Sequence, residues 1–296
     1  MAMDTVDRIL ATQFADTLHV AAQQIVARFR PYTKIKRMTA DLFAYDGLGT
    51  IEAQEKSGRI EQITFTDIEF NRRKIARRRF VLALPFDGMD ALGTAIKNPE
   101  SELAMAARKA MERVYDRIVY EALFSSVLTG RDFDTTVTAA NDGVLTVDAT
   151  AGLTYEKLLE ICQNYIDNEV GNDVPTRKVL AISGDEHTAL MQESELTSGD
   201  YSRQFVVDKG EITSAVGLDV IRFGANVNSP ILSVSSGTRN CAAMAQDGVC
   251  VGISKDVGIK IQERPDYVDV KQVVVEFVLG AVRTEGILVQ KVQTTD

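Results

Sequence analysis

The sequence predicts an α+β fold, in which helices come first along the chain and most strands come late. Residues 5 to 30 carry apolar residues near helical spacing, and Pro31 stops that helix. A second and stronger helical pattern covers residues 98 to 130. From Phe205 onward the pattern is mainly that of β-strands. This grouping is typical of α+β folds and differs from the regular alternation of a wound α/β sheet.

The composition is that of an ordinary globular protein, and it argues against disulfide-rich, zinc-binding, secreted and membrane-spanning proteins. The chain has 296 residues, of which 45% are hydrophobic and 25% charged, enough for a large core and one or two domains. The formal net charge of −9 repels nucleic acid at long range, so contact with a polyanion needs a local basic patch. Three cysteines without CxxC spacing predict neither disulfides nor a zinc site and favour a reducing cytoplasm. The acidic N-terminus does not fit a signal peptide, and no apolar run reaches the roughly 18 residues of a membrane span.

Residues 48 to 86 change to extended character and predict a long hairpin. The segment from Glu55 to Gly58 indicates its turn. On the returning side, apolar residues alternate with other residues from Phe80 to Phe86. The outgoing side has too few large apolar residues to form half of a core. We therefore expect the hairpin to project and to need a neighbour.

The pattern after the hairpin predicts one long helix. Asn98 is the expected N-cap, proline follows at the first helical position, and carboxylates stand near the positive end of the helix dipole. We expect Gly130 to end the segment, and about thirty residues at 1.5 Å rise give a rod of roughly 45 Å. The apolar stripe consists of Leu103, Ala107, Ala110, Val114 and Ile118.

Two shorter helices are predicted further along the chain. Thr154 caps the first, which ends before Gly171. Residues 178 to 183 form a short apolar strand. Asp185 is expected to cap the second helix, which runs through Met191.

Little in the sequence points to catalysis. Only two histidines, His19 and His187, are present, which removes most metal sites and most acid–base machinery. A hydrolase that uses Ser183, Asp185 and His187 at a strand-to-helix junction is one alternative. The G-x-S-x-G signature fails there, because Ala181 and Asp185 stand where glycines are required, and triads are normally assembled from distant parts of a chain. We assign no catalytic, cofactor-binding or metal-binding residue and predict that the protein is not an enzyme.

One segment has an unusual density of positive charge. Its six cations are Arg72, Arg73, Lys74, Arg77, Arg78 and Arg79. In an extended segment successive side chains point to opposite faces, so both faces carry cations and neither is expected to belong to the core of the subunit. Such a run usually needs an acidic partner or a polyanion. Because the rest of the chain is acidic, we predict that these six residues contact neighbouring subunits, with contact to a packaged genome as the alternative.

The order of these parts resembles the Hong Kong 97 fold of tailed-bacteriophage major capsid proteins. A helical N-terminal arm, a long hairpin, a long spine helix, a mixed insert and late strands follow one another over nearly the whole chain. The most similar stretches are YDRIVYEAL (115–123), FVVDKG (205–210), VGLDVI (216–221), and VGIKIQERPD (257–266) through VRTEG (282–286). These are patterns of fold and not catalytic signatures.

The resemblance implies a division of the chain into five parts. They are an N-terminal helical arm with the entry to a peripheral domain (1–46), an extended hairpin loop (47–82), a peripheral domain with the spine helix (83–130), an axial domain (131–254), and peripheral-domain strands that return to the axial domain (255–296).

The resemblance also implies a function. It implies a structural major capsid protein that self-assembles in the cytoplasm of a host bacterium into hexamers and pentamers of an icosahedral head around double-stranded DNA. The partners are then further copies of the chain, a portal protein, a decoration protein and, because only some 46 residues precede the hairpin, a separate scaffolding protein. No membrane and no cofactor is expected. An encapsulin-type nanocompartment, which has the same fold and encloses enzymes, is the other alternative.

Overall fold

The computed structural model describes residues 24–49, 51, 53, 55, 70–87, 99–148, 152–193, 196, 210–225, 230–235, 237–264, 266 and 270–295. The chain forms two compact units. Met1–Ala27, Arg78–Tyr115 and Lys255–Leu279 make up the first unit, and Arg28–Arg77, Asp116–Ser254 and Gly280–Asp296 make up the second unit. The five-part division expected from the sequence stays a prediction.

Helices and strands are both abundant, which confirms the α+β class. In chain order the helices are α1 (Pro99–Phe124), α2 (Tyr155–Asp167) and α3 (Gly184–Gln192), and a 3-10 turn covers Arg30–Tyr32. The strands are β1 (Lys34–Arg37), β2 (Leu42–Leu48), β3 (Phe70–Ala76), β4 (Arg78–Asp87), β5 (Val127–Thr129), β6 (Thr135–Val137), β7 (Leu145–Val147), β8 (Lys178–Ile182), β9 (Ser214–Ala215), β10 (Leu218–Arg222), β11 (Val234–Ser235), β12 (Thr238–Ala245), β13 (Val249–Glu263), β14 (Val270–Arg283) and β15 (Val289–Thr295).

In the first unit, β14 pairs antiparallel with β4. Val275 lies opposite Leu82 and Phe277 opposite Phe80, with the β14 residues buried and the β4 residues half-buried. Tyr115 of α1 stacks on Phe277 with ring centroids 6.5 Å apart, so the helix packs on this face of the sheet. The alternation expected for residues 80 to 86 is present. Among the described residues, the partner of this strand is β14.

The largest sheet of the second unit has the order β7-β15-β12-β8-β10-β9, and β11 also pairs with β12. β8 and β10 run parallel, whereas β12 is antiparallel to β8 and β15. Residues 179 to 182 of β8 and 241 to 245 of β12 have no exposed surface. Leu158 and Ile161 of α2 are buried as well. The centre of this sheet is therefore part of the main core of the second unit.

A four-stranded sheet of the second unit has the order β2-β3-β5-β6. β2 and β3 form an antiparallel ladder that ends with Leu48 opposite Phe70, and they are the strands that enter the predicted hairpin. The centre of the predicted turn, residues 56 to 58, lies outside the described residues. Ile75 anchors the ladder, because it is fully buried in an apolar cluster. The other buried members of that cluster are Met38, Val127, Cys250 and Val282.

The N-terminal helix expected for residues 5 to 30 is wrong in the part that the structure describes. Residues 24 to 29 are not helical, and residues 5 to 23 lie outside the described ranges. The backbone N–H groups of Arg28 and Phe29 donate to the Asp116 carboxylate at 2.8 and 3.0 Å. A side chain here takes the place of the carbonyl acceptors that a helix would supply.

The long helix α1 contains Pro99 as its first residue, as expected, but it ends at Phe124 and not at Gly130. Asn98, its expected N-cap, is outside the described residues. Gly130 instead follows β5 with a φ of +95°, a left-handed conformation that glycine adopts without strain.

Gly280 provides a test of the close packing between β14 and β3. A Cβ at this position would lie 2.2 Å from the carbonyl oxygen of Ala76, a backbone atom that cannot move aside without displacing its strand. We expect Gly280→Ala to lower the free energy of unfolding by about 3 kcal/mol. The measurement is the urea midpoint followed by circular dichroism. Gly184→Ala is the control, since a Cβ there meets no heavy atom within 4 Å, and equal midpoints for the two variants would contradict this packing.

Candidate inter-subunit surface

The fold splits the predicted basic surface into an exposed part and a buried part. β3 carries the first three cations, and β4 begins at residue 78. Residues 77 to 79 are exposed and Arg72 and Lys74 are half-buried, whereas Arg73 is only 5% exposed. The six residues therefore do not form one continuous surface.

Arg72 and Arg77 form exposed ion pairs within the second unit. Arg72 Nε lies 2.7 Å from Asp46 Oδ1, and Arg77 contacts Asp41. Lys74 Nζ lies 6.0 Å from the centre of the Phe133 ring. Exposed ion pairs contribute little to stability because water and salt screen them, so these arginines can exchange partners at little cost in free energy.

Arg78 and Arg79 belong to the first unit. Arg79 is 69% exposed, and its Nε lies 2.5 Å from Glu276 Oε1. Lys255 contacts the other oxygen of that carboxylate. The hydrogen bond from Lys255, together with that from Arg79, holds the pKa of Glu276 below its usual value. The Arg78 guanidinium lies 5.4 Å from the centre of the Phe80 ring.

Arg73 faces the interior of the second unit, so the expectation that neither face of this strand belongs to the core is wrong. Its Nη1 and Nη2 donate to the two oxygens of Asp142 at 2.7 and 2.6 Å. Nη1 also donates to the carbonyl oxygen of Arg283 at 3.1 Å. Arg73 can be buried because its bidentate pair with a carboxylate compensates its charge. The spacing of residues in the sequence does not reveal such a partner.

Arg283, the last residue of β14, completes this buried group. Its side chain is fully buried, and its Nε donates to Asp142 Oδ2 at 2.7 Å. Its Nη1 donates to the carbonyl oxygens of Leu123 and Ser125 at 2.6 and 3.2 Å. These carbonyls lie at the C-terminal end of α1, where acceptors lack partners within the helix. Arg283 thus satisfies the end of α1 at Phe124, and we call the three side chains the Arg73–Asp142–Arg283 cluster.

The charges of this cluster are not balanced. Burial alone would raise the pKa of Asp142, but the hydrogen bonds and charges of Arg73 and Arg283 outweigh it and lower that pKa. Burial lowers the pKa of Arg283, and Asp142 opposes this effect. Two positive charges share one negative charge, so a net positive charge is buried beside the negative end of the α1 dipole. Sequence reasoning missed Asp142 and Arg283, and the available signal is a cation that ends an apolar strand.

The region considered for a hydrolase is the start of α3. Ser183 is the N-cap: its Oγ accepts from the Asp185 N–H at 3.3 Å, and the Glu186 carboxylate accepts from the Ser183 N–H at 2.9 Å. The expectation that Asp185 caps this helix is therefore wrong, because Ser183 and Glu186 form a capping box. The Ser183 hydroxyl also contacts the Glu186 and Arg239 side chains.

His187 does not join Ser183. Its Nε2 accepts from the N–H of Ile212 at 3.2 Å, and burial lowers its pKa with a further contribution from the charge of Arg222. The hydroxyl and the imidazole thus have other partners, and they do not form the relay of a hydrolase. Within the described ranges, no group of three or more His, Cys, Asp or Glu side chains is placed to hold a metal ion. In the same part of the chain, no helix is long and apolar enough to cross a membrane.

Comparisons with known proteins agree on one family and one fold. The family model described as "Phage capsid protein" matches residues 6–295. The acid-stable capsid of Helicobacter pylori bacteriophage KHP30 is 12% identical with a TM-score of 0.72, covering 97% of this chain and 96% of that chain. A chain of Mycobacterium phage Che8 is 13% identical with a TM-score of 0.70, and the match covers 95% of this chain and 96% of that chain. The cyanophage Pam1 capsid is also 13% identical with a TM-score of 0.70, covering 96% of each chain. No curated protein matches the sequence. The structural likeness confirms the Hong Kong 97-like fold expected from the sequence.

The Glu186 carboxylate provides a test of the capping box through pH. Burial would raise its pKa, but hydrogen bonds from Ser183, Thr294 and the backbone outweigh burial and hold the pKa below the ordinary value of 4.5. Its contribution to stability is therefore present above about pH 4.5 and is lost as the pH falls through the lowered pKa. We expect Glu186→Gln to lower the free energy of unfolding by about 2 kcal/mol at pH 7 and to flatten the loss of stability below pH 4.5.

Urea midpoints measured between pH 3 and pH 7 check this expectation. Glu160→Gln is the control, because Glu160 is exposed on α2. If both variants follow the pH profile of the unmodified chain, the buried carboxylate has no such role.

Proposed function

Since the chain belongs to the phage capsid protein family and is a structural protein of the virion capsid, we propose that its copies form the hexamers and pentamers of an icosahedral head. The observation that carries this proposal is the family match over residues 6–295. The same match favours a phage head over an encapsulin-type nanocompartment. We further propose that the head encloses double-stranded DNA and that the protein has no enzymatic role.

Exposed apolar residues on the hairpin strands support contact with a neighbouring copy. Leu48 and Phe70 lie opposite each other on β2 and β3 and are 57% and 72% exposed. Ile51, just beyond β2, is 55% exposed. Large apolar side chains grouped in this way are typical of interfaces, because an isolated subunit gains nothing from exposing them.

The exposed arginines of the basic run are proposed to reach carboxylates of a neighbouring subunit. Arg72, Arg77 and Arg79 have carboxylate partners within their own chain, but these exposed pairs are weak and can be exchanged during assembly. Arg78 is exposed and Lys74 half-buried, and both are retained in the proposal. Arg73 is withdrawn from it, because its guanidinium is buried against Asp142.

Other partners remain predictions of this proposal. A portal protein, a separate scaffolding protein, packaged DNA and a decoration protein are the partners that the resemblance to tailed-phage capsids implies. Assembly in the cytoplasm of the host bacterium belongs to the same set. Copies of the chain itself are the partner on which the experiments below depend.

Electron microscopy of the purified protein tests the proposed assembly directly. We expect closed shells or ring-shaped capsomers, because the exposed apolar residues of β2 and β3 need cover. Light scattering at micromolar concentration gives an independent measure of mass. A folded protein that stays at the 32.5 kDa of one chain under several salt conditions would count against the proposal.

Charge reversal separates contact between subunits from contact with the genome. We expect Arg77→Glu, Arg78→Glu and Arg79→Glu together to prevent assembly of empty shells in the absence of DNA while the subunit stays folded. The physical reason is repulsion from the neighbouring acidic surface, since the chain already carries a formal charge of −9. Size-exclusion chromatography and electron microscopy measure assembly, and circular dichroism measures folding.

The control for this triple variant reverses three other exposed cations, Lys36, Arg131 and Lys260, and so changes the net charge equally. We expect this control to form shells. If the variant of residues 77 to 79 assembles normally and only DNA packaging fails, the arginines contact the genome and not a neighbouring subunit.

A further inference from the structure

The Arg73–Asp142–Arg283 cluster brings together four parts of the second unit that are distant in sequence. Arg73 lies on β3, Asp142 in the turn after β6, and Arg283 at the end of β14. The carbonyl oxygens of Leu123 and Ser125 add the end of α1. Each part contributes at least one hydrogen bond to a buried charged group, so the cluster fixes the direction of β3 as well as its position.

β3 has few other attachments of this kind on the side of β5. The ladder between β3 and β5 has one register pair, Arg73 opposite Thr129, so the backbone and the side chain of the same residue make the connection. Two positions further along, Ile75 packs in the apolar cluster. An apolar contact is non-directional, whereas a bidentate ion pair holds the guanidinium and the carboxylate in one plane.

We propose that this cluster positions the hairpin strands β2 and β3 for assembly, and that Arg73 is the positioning residue. The inference rests on the proposed function, because a fixed direction matters only if the hairpin contacts a neighbouring copy. Arg73 itself is not proposed to touch a neighbouring subunit, because its side chain is only 6% exposed. It acts by holding the strands that carry Leu48 and Phe70 in the orientation that a regular shell requires.

The charges of the cluster indicate that Arg73 can be replaced without unfolding the subunit. Two arginines and one aspartate leave one surplus positive charge, so removing Arg73 leaves a neutral Arg283–Asp142 pair that still satisfies the end of α1. Removing Asp142 instead leaves two buried guanidinium groups without an anion. Losing one partner of a buried ion pair is strongly destabilising when it leaves an uncompensated charge, which the loss of Asp142 does and the loss of Arg73 does not.

The experiment compares Arg73→Met with Arg72→Met, the same change at the neighbouring residue on the other face of β3. Arg72 pairs with exposed Asp46 and lies outside the cluster. We expect both variants to keep the Tm of the unmodified chain within a few degrees. Arg73→Met is expected to give shells of mixed size or open sheets by electron microscopy, and Arg72→Met to give uniform shells. Asp142→Asn is expected to lower the Tm clearly, in contrast to Arg73→Met.

Hydrogen exchange of unassembled subunits provides a readout that does not depend on shells. We expect amides of β2 and β3 to exchange about tenfold faster in Arg73→Met than in Arg72→Met, because the hairpin strands lose one attachment. If Arg73→Met does not fold, Arg73→Lys decides by the same two measurements, since lysine keeps the charge and loses the planar fork.

The outcomes separate the two proposals. If the unmodified chain forms no shells, the proposed function fails, whatever hydrogen exchange shows about the strands. If the unmodified chain forms shells and the folded Arg73 variant forms identical ones, only the positioning role is overturned. Equal exchange rates in the Arg73 and Arg72 variants would overturn it as well.

Discussion

In the second unit, one carboxylate whose side chain is only 8% exposed connects four parts of the chain. Asp142 accepts hydrogen bonds from Arg73 and Arg283, which are 210 positions apart in the chain. Without the two arginines, burial would favour the protonated, neutral form of the Asp142 carboxyl group. Without the carboxylate, the two guanidinium groups would repel each other. Arg283 also donates to the carbonyl oxygens at the end of α1, so Asp142 is linked to that helix as well as to β3. A hairpin strand, a turn, a helix end and a strand end are therefore coupled through a single charged group.

The extent to which the site was predictable follows from the period of a β-strand. Charge density in the sequence identifies the basic run, and a period of two predicts that its side chains point to two faces. The sequence does not say which face is buried, because that depends on Asp142 and Arg283, which no local pattern connects to β3. Arg72 and Arg73 are adjacent residues of the same type. Arg72 is half-buried and forms an exposed ion pair, whereas Arg73 is buried in the interior of the second unit.

The fold shows the same division between local and distant causes. The start of α1 at Pro99 and the alternation in β4 were predictable because proline and a two-residue period are local signals. β12 lies in the region where strands are expected, but no local pattern marks it, since its buried centre reads Cys-Ala-Ala-Met-Ala and alanine favours helices unless neighbouring strands override it. The N-cap of α3 had a usable signal: Ser183 is followed three residues later by Glu186, which favours serine over Asp185.

Buried and exposed arginines on adjacent strands allow one segment to satisfy two opposing demands. In the proposed assembly a subunit needs contacts that form and rearrange with its neighbours, and weak exposed pairs such as Arg77 with Asp41 and Arg79 with Glu276 would allow that exchange. It also needs its contact surfaces held in a fixed direction, which weak pairs cannot provide. We propose that Arg73 meets that second demand, because its pair with Asp142 is bidentate and the side chains are only 6% and 8% exposed. Alternation along β3 places Arg72 and Arg73 on opposite faces, so the arginine that we propose as the positioning residue is shielded from solvent while its neighbour is not.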